Sequence, residues 1–472
     1  MSFDSIPFII LFLSFFILYW GVLGGKTKAQ NILIIITGYI FYGWWDWRFL
    51  FLLAFSTTVD FCVGWYLGKI SDDRKRKILF ITGCCISLGV LAFFKYYNFF
   101  IGSFITALGN IGIHADVTML HIILPVGISF YTFQSLSYTI DIYRRKITPC
   151  NSYIDFLAFA SFFPQLVAGP IERAEHLLPQ MQNKRVFIYE NGITGIRLIT
   201  IGLFKKLVVA DNCGLIVNTI FPNYNNVSAV GLIIGAVLFA FQIYGDFSGY
   251  SDIARGLGKL LGFDIIVNFR TPYFAKNIRD FWRRWHISLT SWFRDYIYFG
   301  LGGSKQGKWK MLRNTFIVFL ISGLWHGANW TFVIWGVIHF LFFIPSILVG
   351  KKDKLTTEHS IPHYLSGILS SFFTFVLVCI AWVFFRSPDI HTAFMYLRDI
   401  VIKHDTSFSF LITNTYWLAF LIALFSIAQL IIIDYYEYKM KLLPAIAYFI
   451  LVLNIVFLGN YRNPLQFIYF QF

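Results

Sequence analysis

Charged side chains are scarce in this sequence of 472 residues, at 13%, about half of the share usual in soluble domains. Apolar residues account for 57%, and the mean hydropathy is +0.65. This composition excludes a disordered chain, a secreted disulfide scaffold and an ordinary cytosolic enzyme. Long apolar runs recur from end to end, whereas the strands of a β-barrel would alternate apolar and polar residues. The sequence therefore predicts an all-α polytopic membrane protein.

Cysteine is also scarce, and the six cysteines show neither zinc-site nor redox-pair spacing. Several lie within apolar runs, which favours buried thiols, and the histidines show no metal-like spacing either. The sequence lacks a Walker loop, a GxGxxG fingerprint, a Gly-x-Ser-x-Gly elbow and an HExxH pair. We therefore expect no metal site, and ATP-driven transport, dinucleotide redox chemistry and serine hydrolysis are unsupported.

Twelve apolar runs are candidates for membrane spans, and we expect eleven or twelve crossings of ~20 residues each. They cover residues 8–24, 31–47, 49–68, 78–94, 122–140, 193–210, 228–250, 312–324, 331–349, 366–385, 409–433 and 443–459. The formal charge of +15 comes from short basic clusters between these runs. Cytoplasmic loops that face an anionic membrane surface explain the clusters better than nucleic-acid binding does.

The basic clusters predict an orientation. Residues 26–28 and 69–77 fall on one side, which the positive-inside rule assigns to the cytoplasm, and the tryptophan-rich turn 44–48 falls on the other. Later clusters at 351–354 and 437–441 keep this alternation, so both termini are predicted to be external. The first run has no basic segment before it and no small-residue cleavage site after it, which favours an uncleaved span over a signal peptide.

Two regions depart from the pattern of simple spans. Phe156–Ile171 is apolar but contains two prolines and a glycine, which predicts a re-entrant segment. Asn268–Lys310 interleaves basic residues with aromatics, which predicts amphipathic helices at the cytoplasmic interface. No internal repeat and no long linker is present. We therefore predict one membrane domain over 1–472, with N-terminal spans at 1–110, a catalytic core at 120–350 and C-terminal spans at 351–472.

Polar residues within apolar runs are candidates for function because they are costly in a membrane. His326 lies in the middle of the apolar run Leu312–Val349, beside Gly327. A neutral imidazole there could take a proton from a hydroxyl group, as a general base does. The alternative is a structural histidine that bonds to a neighbouring helix.

His286 is the second candidate, 40 residues upstream of His326 in Phe281–Thr290. It could act as a second acid or base, or orient a phosphate-bearing donor. The alternative is an interfacial histidine between tryptophans. His339, on the helix after His326, is expected to be buried and hydrogen-bonded.

A third cluster contains Gln242, Asp246, Ser248 and Asp252. Gln242 and Asp246 are four residues apart and share a helix face. An acid in an apolar run must be paired, and an arginine or a histidine is the expected partner of Asp246. Gly245 and Gly249 are expected to allow close helix packing.

Several segments together resemble the membrane-bound O-acyltransferase (MBOAT) superfamily, in its branch of alginate O-acetylase-like proteins and peptidoglycan O-acetyltransferases. They occur in the expected order and cover most of the chain: Leu124–Gln134, Asp141–Arg144, Phe163–Ile171, Tyr244–Asp252, Asn268–Tyr273, Phe281–Leu289 and Trp325–Trp330.

The resemblance implies a bowl-shaped helical bundle with a funnel, and acyl transfer from a thioester donor reached from the cytoplasm. It implies that His326 is the catalytic residue and that His286 accompanies it in the funnel. We expect supporting roles, including in the substrate tunnel, for Trp325, Asn329, Asp246, Gln242, Ser288, Arg283, Arg284 and Trp285. No cofactor is expected to be permanently bound, and acetyl-CoA or another acyl thioester is the expected donor substrate.

The expected function is O-acetylation of an envelope polysaccharide by a protein of the inner membrane, with a periplasmic partner of the SGNH-hydrolase type. One alternative is D-alanyl transfer to teichoic acid from a carrier protein. A transporter or flippase is an alternative from another class, although such proteins usually contain internal repeats.

Overall fold

The computed structural model describes residues 1–114, 119–305, 307–348, 361–408, 416–461 and 465–468, and it describes no side chains for 361–365. These residues form helices and connecting loops, with no β-strand among them. The first eleven helices are α1 (Ile6–Phe16), α2 (Thr27–Gly43), α3 (Phe49–Lys69), α4 (Asp73–Leu91), α5 (Tyr97–Asn110), α6 (Ile128–Tyr143), α7 (Tyr153–Ala160), α8 (Phe163–Leu166), α9 (Ala174–Gln182), α10 (Tyr189–Leu203) and α11 (Asp211–Ile220). The remaining nine are α12 (Ala229–Leu260), α13 (Ile278–Arg284), α14 (Ile287–Trp292), α15 (Lys308–His326), α16 (Trp330–Leu348), α17 (Ile361–Arg386), α18 (Ile390–Ile402), α19 (Trp417–Tyr438) and α20 (Ala445–Leu458).

Six helical stretches within the described residues are long and apolar enough to cross a membrane. They are Phe49–Lys69, Asp73–Asn110, Ala229–Leu260, Trp330–Leu348, Ser366–Arg386 and Trp417–Tyr438. Ile6–Val22 and Ala445–Leu458 are shorter apolar helices. Many large apolar side chains on these helices face outward, including Phe51 at 70% and Phe457 at 76% exposure, as expected for surfaces that contact lipid. The all-α, multi-pass architecture predicted from the sequence is confirmed.

Some boundaries differ from the sequence prediction. The run at 122–140 becomes helical only at Ile128, because Gly127 precedes it with a left-handed backbone at φ 75°. The run at 409–433 is helical from Trp417, and its residues 409–415 lie outside the described part of the chain, as do the basic residues 351–354. Burial of the thiols is confirmed for Cys150, Cys213 and Cys379 but is wrong for Cys62 and Cys85, which lie on outward helix faces.

The chain divides into two compact units. The first comprises residues 1–199 and 253–266. Within it, Arg76 is buried and donates hydrogen bonds to the carbonyl of Leu67 at the end of α3 and to those of Ile142 and Tyr143 at the end of α6. One guanidinium thereby satisfies the last carbonyls of two helices, which lack partners within their own helices. The segment predicted to be broken, Phe156–Ile171, does interrupt the helical pattern, with α7 ending at Ala160 and α8 covering four residues.

The second unit comprises residues 200–252 and 267–472. Its best-packed helix pair is α15 and α16, which turn back on each other at Gly327–Asn329, between the predicted spans 312–324 and 331–349. Glycines permit this contact, because a Cβ atom at Gly323 would lie 2.3 Å from the carbonyl oxygen of Phe332. Within the aromatic and basic region, residues 278–298 form α13, α14 and a π-helical turn, with Trp282 and Trp285 buried and Arg283 exposed. Its amphipathic character is therefore confirmed.

Candidate active site

Two buried histidines lie close together in the second unit. His326 is the last residue of α15 and is 3% exposed, and His286 immediately precedes α14 and is fully buried. Their ring centroids are 6.5 Å apart and the ring planes are inclined at 60°. The sequence placed them 40 positions apart, and the fold brings both imidazoles into one cluster.

The backbone of His286 is in the left-handed region, with φ 43° and ψ 55°. This conformation is uncommon for a residue other than glycine and costs about 1–3 kcal/mol. Two backbone hydrogen bonds hold it: Ile287 N–H donates to the carbonyl of Asn268 at 2.8 Å, and Arg270 N–H donates to that of Arg284 at 3.0 Å. The segment 268–270 therefore positions the turn that carries the imidazole.

Aromatic rings enclose the two imidazoles. Phe247 lies edge-on to His286 with 4.6 Å between ring centroids, and Trp325 lies 5.8 Å from His286 and 5.0 Å from His326. Trp335 and Phe385 contact His326 at 5.0 and 5.4 Å. Burial among such rings disfavours the charged imidazolium. It lowers the pKa of His286, which lies outside the six candidate spans, to about 3, so that the ring is neutral at physiological pH.

Polar groups contact His286 on one edge of its ring. The Nδ1 atom lies 3.1 Å from Oδ1 of Asn268. The same Oδ1 atom accepts hydrogen bonds from the hydroxyl of Ser288 at 2.9 Å and from its backbone N–H at 3.2 Å. Asn268 in turn donates from Nδ2 to the hydroxyl of Ser251 at 3.2 Å. All four residues are buried.

A charged cluster lies on the α12 side of the second unit. Lys206 is buried, and its Nζ lies 2.9 Å from Asp246 and 2.8 Å from Asp211. The cluster also holds the segment 465–468, since Lys206 donates to the carbonyl of Leu465 and Asp246 accepts from the N–H of Ile468. An arginine or a histidine was the expected partner of Asp246, and the structure forms the ion pair with a lysine.

The predicted site residues are thus distributed unevenly. His286, His326, Trp325, Ser288 and Trp285 belong to the histidine cluster, where Trp285 packs on Phe269. Gln242 and Asp246 lie on α12, in the turns before Phe247. Asn329 instead immediately precedes α16, and its Oδ1 accepts a hydrogen bond from the N–H of Thr331. Arg283 is exposed, and Arg284 pairs with Asp280 on its own helix.

His339 is buried as predicted, within 4.9 Å of the Trp282 ring and 4.7 Å of the Trp335 ring. The expectation that it is hydrogen-bonded is wrong for the described part of the chain, where neither ring nitrogen has a partner. Its neighbours are aromatic rings that offer no acceptor oxygen. Asn268, Trp335 and Phe385 were not singled out individually from the sequence. Asn268 was named only as the first residue of the segment Asn268–Tyr273.

The family model of the membrane-bound O-acyltransferases matches residues 146–387, which include both histidines. The chain belongs to this family and is an O-acyltransferase. It is 38% identical over 395 residues to a probable alginate O-acetylase AlgI of Pseudomonas syringae pv. tomato, covering 83% of this chain and 74% of the relative.

Other relatives carry related activities in their names. A peptidoglycan O-acetyltransferase of Helicobacter pylori is 32% identical over 431 residues, covering 85% of this chain and 80% of the relative. A teichoic acid D-alanyltransferase of Bacillus subtilis is 28% identical over 279 residues, covering 56% of this chain and 69% of the relative. The two acetyl-transferring relatives therefore match far more of this chain than the D-alanyl-transferring one does.

Proposed function

We propose that this protein transfers an acetyl group from a cytoplasmic thioester, such as acetyl-CoA, for O-acetylation of a cell-envelope polysaccharide. The observation that carries the proposal is the pair of buried imidazoles, whose ring centroids are 6.5 Å apart. Both lie within the region that matches the family model of the membrane-bound O-acyltransferases. The extent of the match to relatives named for alginate and peptidoglycan acetylation supports acetyl over D-alanyl transfer.

The chemistry follows from the properties of imidazole. A sugar or protein hydroxyl is a weak nucleophile until a base removes its proton. His326 accepts that proton while the hydroxyl oxygen attacks the thioester carbonyl, and the carbon–sulfur bond then breaks. The proton passes to the departing thiolate, so that an ester and a free thiol are the products. The aromatic rings around both histidines exclude water, which would otherwise hydrolyse the thioester.

We further propose that the protein lies in the inner membrane with its basic loops, including 69–77, in the cytoplasm. A periplasmic protein of the SGNH-hydrolase type would then carry the acetyl group onto the polymer. The short connections between most of the described helices support this division of labour, because they offer little surface for a long polymer. A cysteine introduced at position 46 should react with a membrane-impermeant label added from outside, and a cysteine introduced at position 75 should not. The reverse pattern would contradict the orientation.

The decisive experiment uses purified protein in proteoliposomes with acetyl-CoA labelled in the acetyl group. The expected result is release of free thiol and transfer of label to a hydroxyl acceptor, with both lost in His326→Gln. D-alanyl carrier thioester is supplied in parallel, and turnover of that donor alone would favour the teichoic acid reaction. Intact thioester after incubation, together with movement of a solute across the membrane, would identify a transporter.

A further inference from the structure

The hydrogen bonds around Asn268 determine which nitrogen of His286 carries the proton. A backbone N–H can only donate, and that of Ser288 points to the Asn268 side-chain atom at 3.2 Å. This atom is therefore the amide oxygen, Oδ1, and the opposite atom, which contacts the Ser251 hydroxyl, is the NH₂ group. The orientation of the amide follows from an obligate donor and needs no assumption about the histidine.

An amide oxygen has no proton to give. Since Nδ1 of His286 lies 3.1 Å from Oδ1 of Asn268, a favourable contact requires the proton on Nδ1. The competing arrangement would place a bare Nδ1 against the Ser288 hydroxyl. That distance is longer, at 3.4 Å, and the hydroxyl already has a shorter bond of 2.9 Å to Oδ1. In that arrangement two lone pairs would also face each other across 3.1 Å.

We propose that Asn268 is a positioning residue that holds His286 as the neutral tautomer with its proton on Nδ1, so that Nε2 is the atom that accepts a proton or a hydrogen bond from the reactants. The proposal rests on the proposed function for the role of His286 in acyl transfer. It assigns the resting His286 as an acceptor. In its neutral form, His286 has no proton on Nε2 to give to the leaving thiolate. The thiolate must therefore receive the proton that was removed from the hydroxyl.

The surroundings of His286 explain why such a device is needed. The rings that contact it, including Phe247 and Trp325, offer packing but no acceptor oxygen. Among the described residues, the His326 imidazole is a titratable group that faces it. A neutral histidine without Asn268 could carry its proton on either nitrogen, and a fraction of the molecules would then present a donor to the reactants. Groups that orient a functional histidine in this way are typically worth about 10–100-fold in activity.

The first test observes the tautomer directly. The chain contains ten histidines, and selective ¹⁵N labelling of histidine in nanodiscs gives a spectrum that His286→Gln assigns by loss of one pair of signals. The expected result is a His286 signal with the proton on Nδ1, which changes to a mixture in Asn268→Ala. A proton on Nε2 in the unmodified protein would overturn the proposal. This test needs no turnover, so its outcome is independent of whether acetyl-CoA is the donor.

The second test uses the pH dependence of thioester turnover. In Asn268→Asp, a carboxylate oxygen accepts from Nδ1 as the amide oxygen does, and its negative charge favours the imidazolium. Because an acceptor must be unprotonated, the acidic limb of the pH–rate profile should move to higher pH, with turnover lost at acidic pH values where the unmodified protein is still active, while activity at high pH is largely retained. Asn268→Leu should lose about 10–100-fold at all pH values.

Asn454→Asp is the matched control, since Asn454 is buried in the same unit and bonds to Gln429. It introduces a carboxylate away from the histidines and should leave the acidic limb in place. Equal shifts in both aspartate variants, or an unshifted profile in an active Asn268→Asp protein, would refute the role of Asn268. Absence of thioester turnover in the unmodified protein would refute the proposed function. The tautomer of His286 would then be decided by the ¹⁵N spectrum of the first test alone.

Discussion

Gly323 on α15 and Gly336 on α16 face each other so closely that a Cβ atom added at Gly336 would lie 3.5 Å from the Cα atom of Gly323. The same Cβ atom would lie 2.4 Å from the carbonyl oxygen of Phe319. The two helices therefore touch through their backbones, as small residues allow in membrane proteins. This contact lies one turn before His326 and fixes the end of α15 on which the imidazole sits.

Gly336→Ala should lower stability by about 1–3 kcal/mol, because the backbone oxygen it meets cannot move aside as a flexible side chain could. Activity should fall as well, since the end of α15 must shift. Thermal unfolding in detergent measures the first effect, and thioester turnover measures the second. Gly89→Ala is the matched control: it lies within α4 with nothing within 4 Å of an added Cβ atom. It should be neutral or slightly stabilising, and equal losses in both variants would contradict the packing role.

His326→Ala should reduce acyl transfer by about 10²–10⁴-fold, because the hydroxyl acceptor then lacks its base. The protein should remain folded and inserted, since the neighbours of His326 are aromatic rings that remain packed on one another. Paired measurements of glycan acetylation and melting temperature separate the two effects. If activity fell only together with a large fall in melting temperature, His326 would be a structural residue.

Lys206→Met should destabilise the second unit by about 3–5 kcal/mol, because Asp211 and Asp246 would be left buried without their shared cation. Adding Asp211→Asn to Lys206→Met should recover part of the loss by removing one of the two uncompensated charges. Lys259→Met is the matched control, since its partner Asp264 is largely exposed and such pairs contribute about 1 kcal/mol or less. Melting temperatures decide the comparison, and similar losses for Lys206→Met and Lys259→Met would contradict the importance of burial.

The sequence predicts local features of this site well. The break after His326 lies between the predicted spans 312–324 and 331–349, and the buried glycines Gly245 and Gly249 do lie against the backbone of residues 202–206. Such features depend on neighbours a few positions away, so residue type and spacing are sufficient to predict them.

Long-range partners could not be predicted in the same way. Asn268 meets Ser288 across 20 residues because the turn at His286 adopts a left-handed backbone, which no spacing rule indicates. Lys206 was not expected as the partner of Asp246, since its position next to the acid depends on how α12 packs against the π-helical turn at 204–210. The position of His326 at a helix break was therefore accessible from the sequence, whereas the groups that contact His286 were not.

His176 should give the first unit a pH-dependent stability. Its Nδ1 lies 2.8 Å from Glu172, and this hydrogen bond raises the pKa of His176 above its ordinary value of 6.5. Burial raises the pKa of Glu172 above 4.5. A histidine whose pKa is higher in the folded state than in the unfolded state stabilises the folded state. This contribution is complete at pH values below the unfolded-state pKa, and it is lost as pH rises through the folded-state pKa. The stability that His176 contributes should therefore decline as pH rises from about 6.5 through the raised pKa of His176.

The measurement compares melting temperatures of the unmodified protein and His176→Gln on either side of this range. The unmodified protein should have the larger advantage at the acidic end, and the difference should shrink at the alkaline end. Because the His176 side chain is 38% exposed, the effect should stay below about 1 kcal/mol. His404→Gln, at an exposed position, provides the control. A difference that stayed constant with pH would refute the role of the pair.

The bond between Asp246 and the backbone of Ile468 has a consequence for biosynthesis. The two residues are 222 positions apart in the chain. A ribosome that adds ~5–20 residues per second needs roughly 10–40 seconds to make that distance. Lys206, made earlier, can neutralise Asp246 at once, but the bond from Ile468 to the second carboxylate oxygen forms only after residue 468 has been made. During this interval the nascent chain carries, at the centre of α12, an acid whose hydrogen bond to Ile468 has not yet formed.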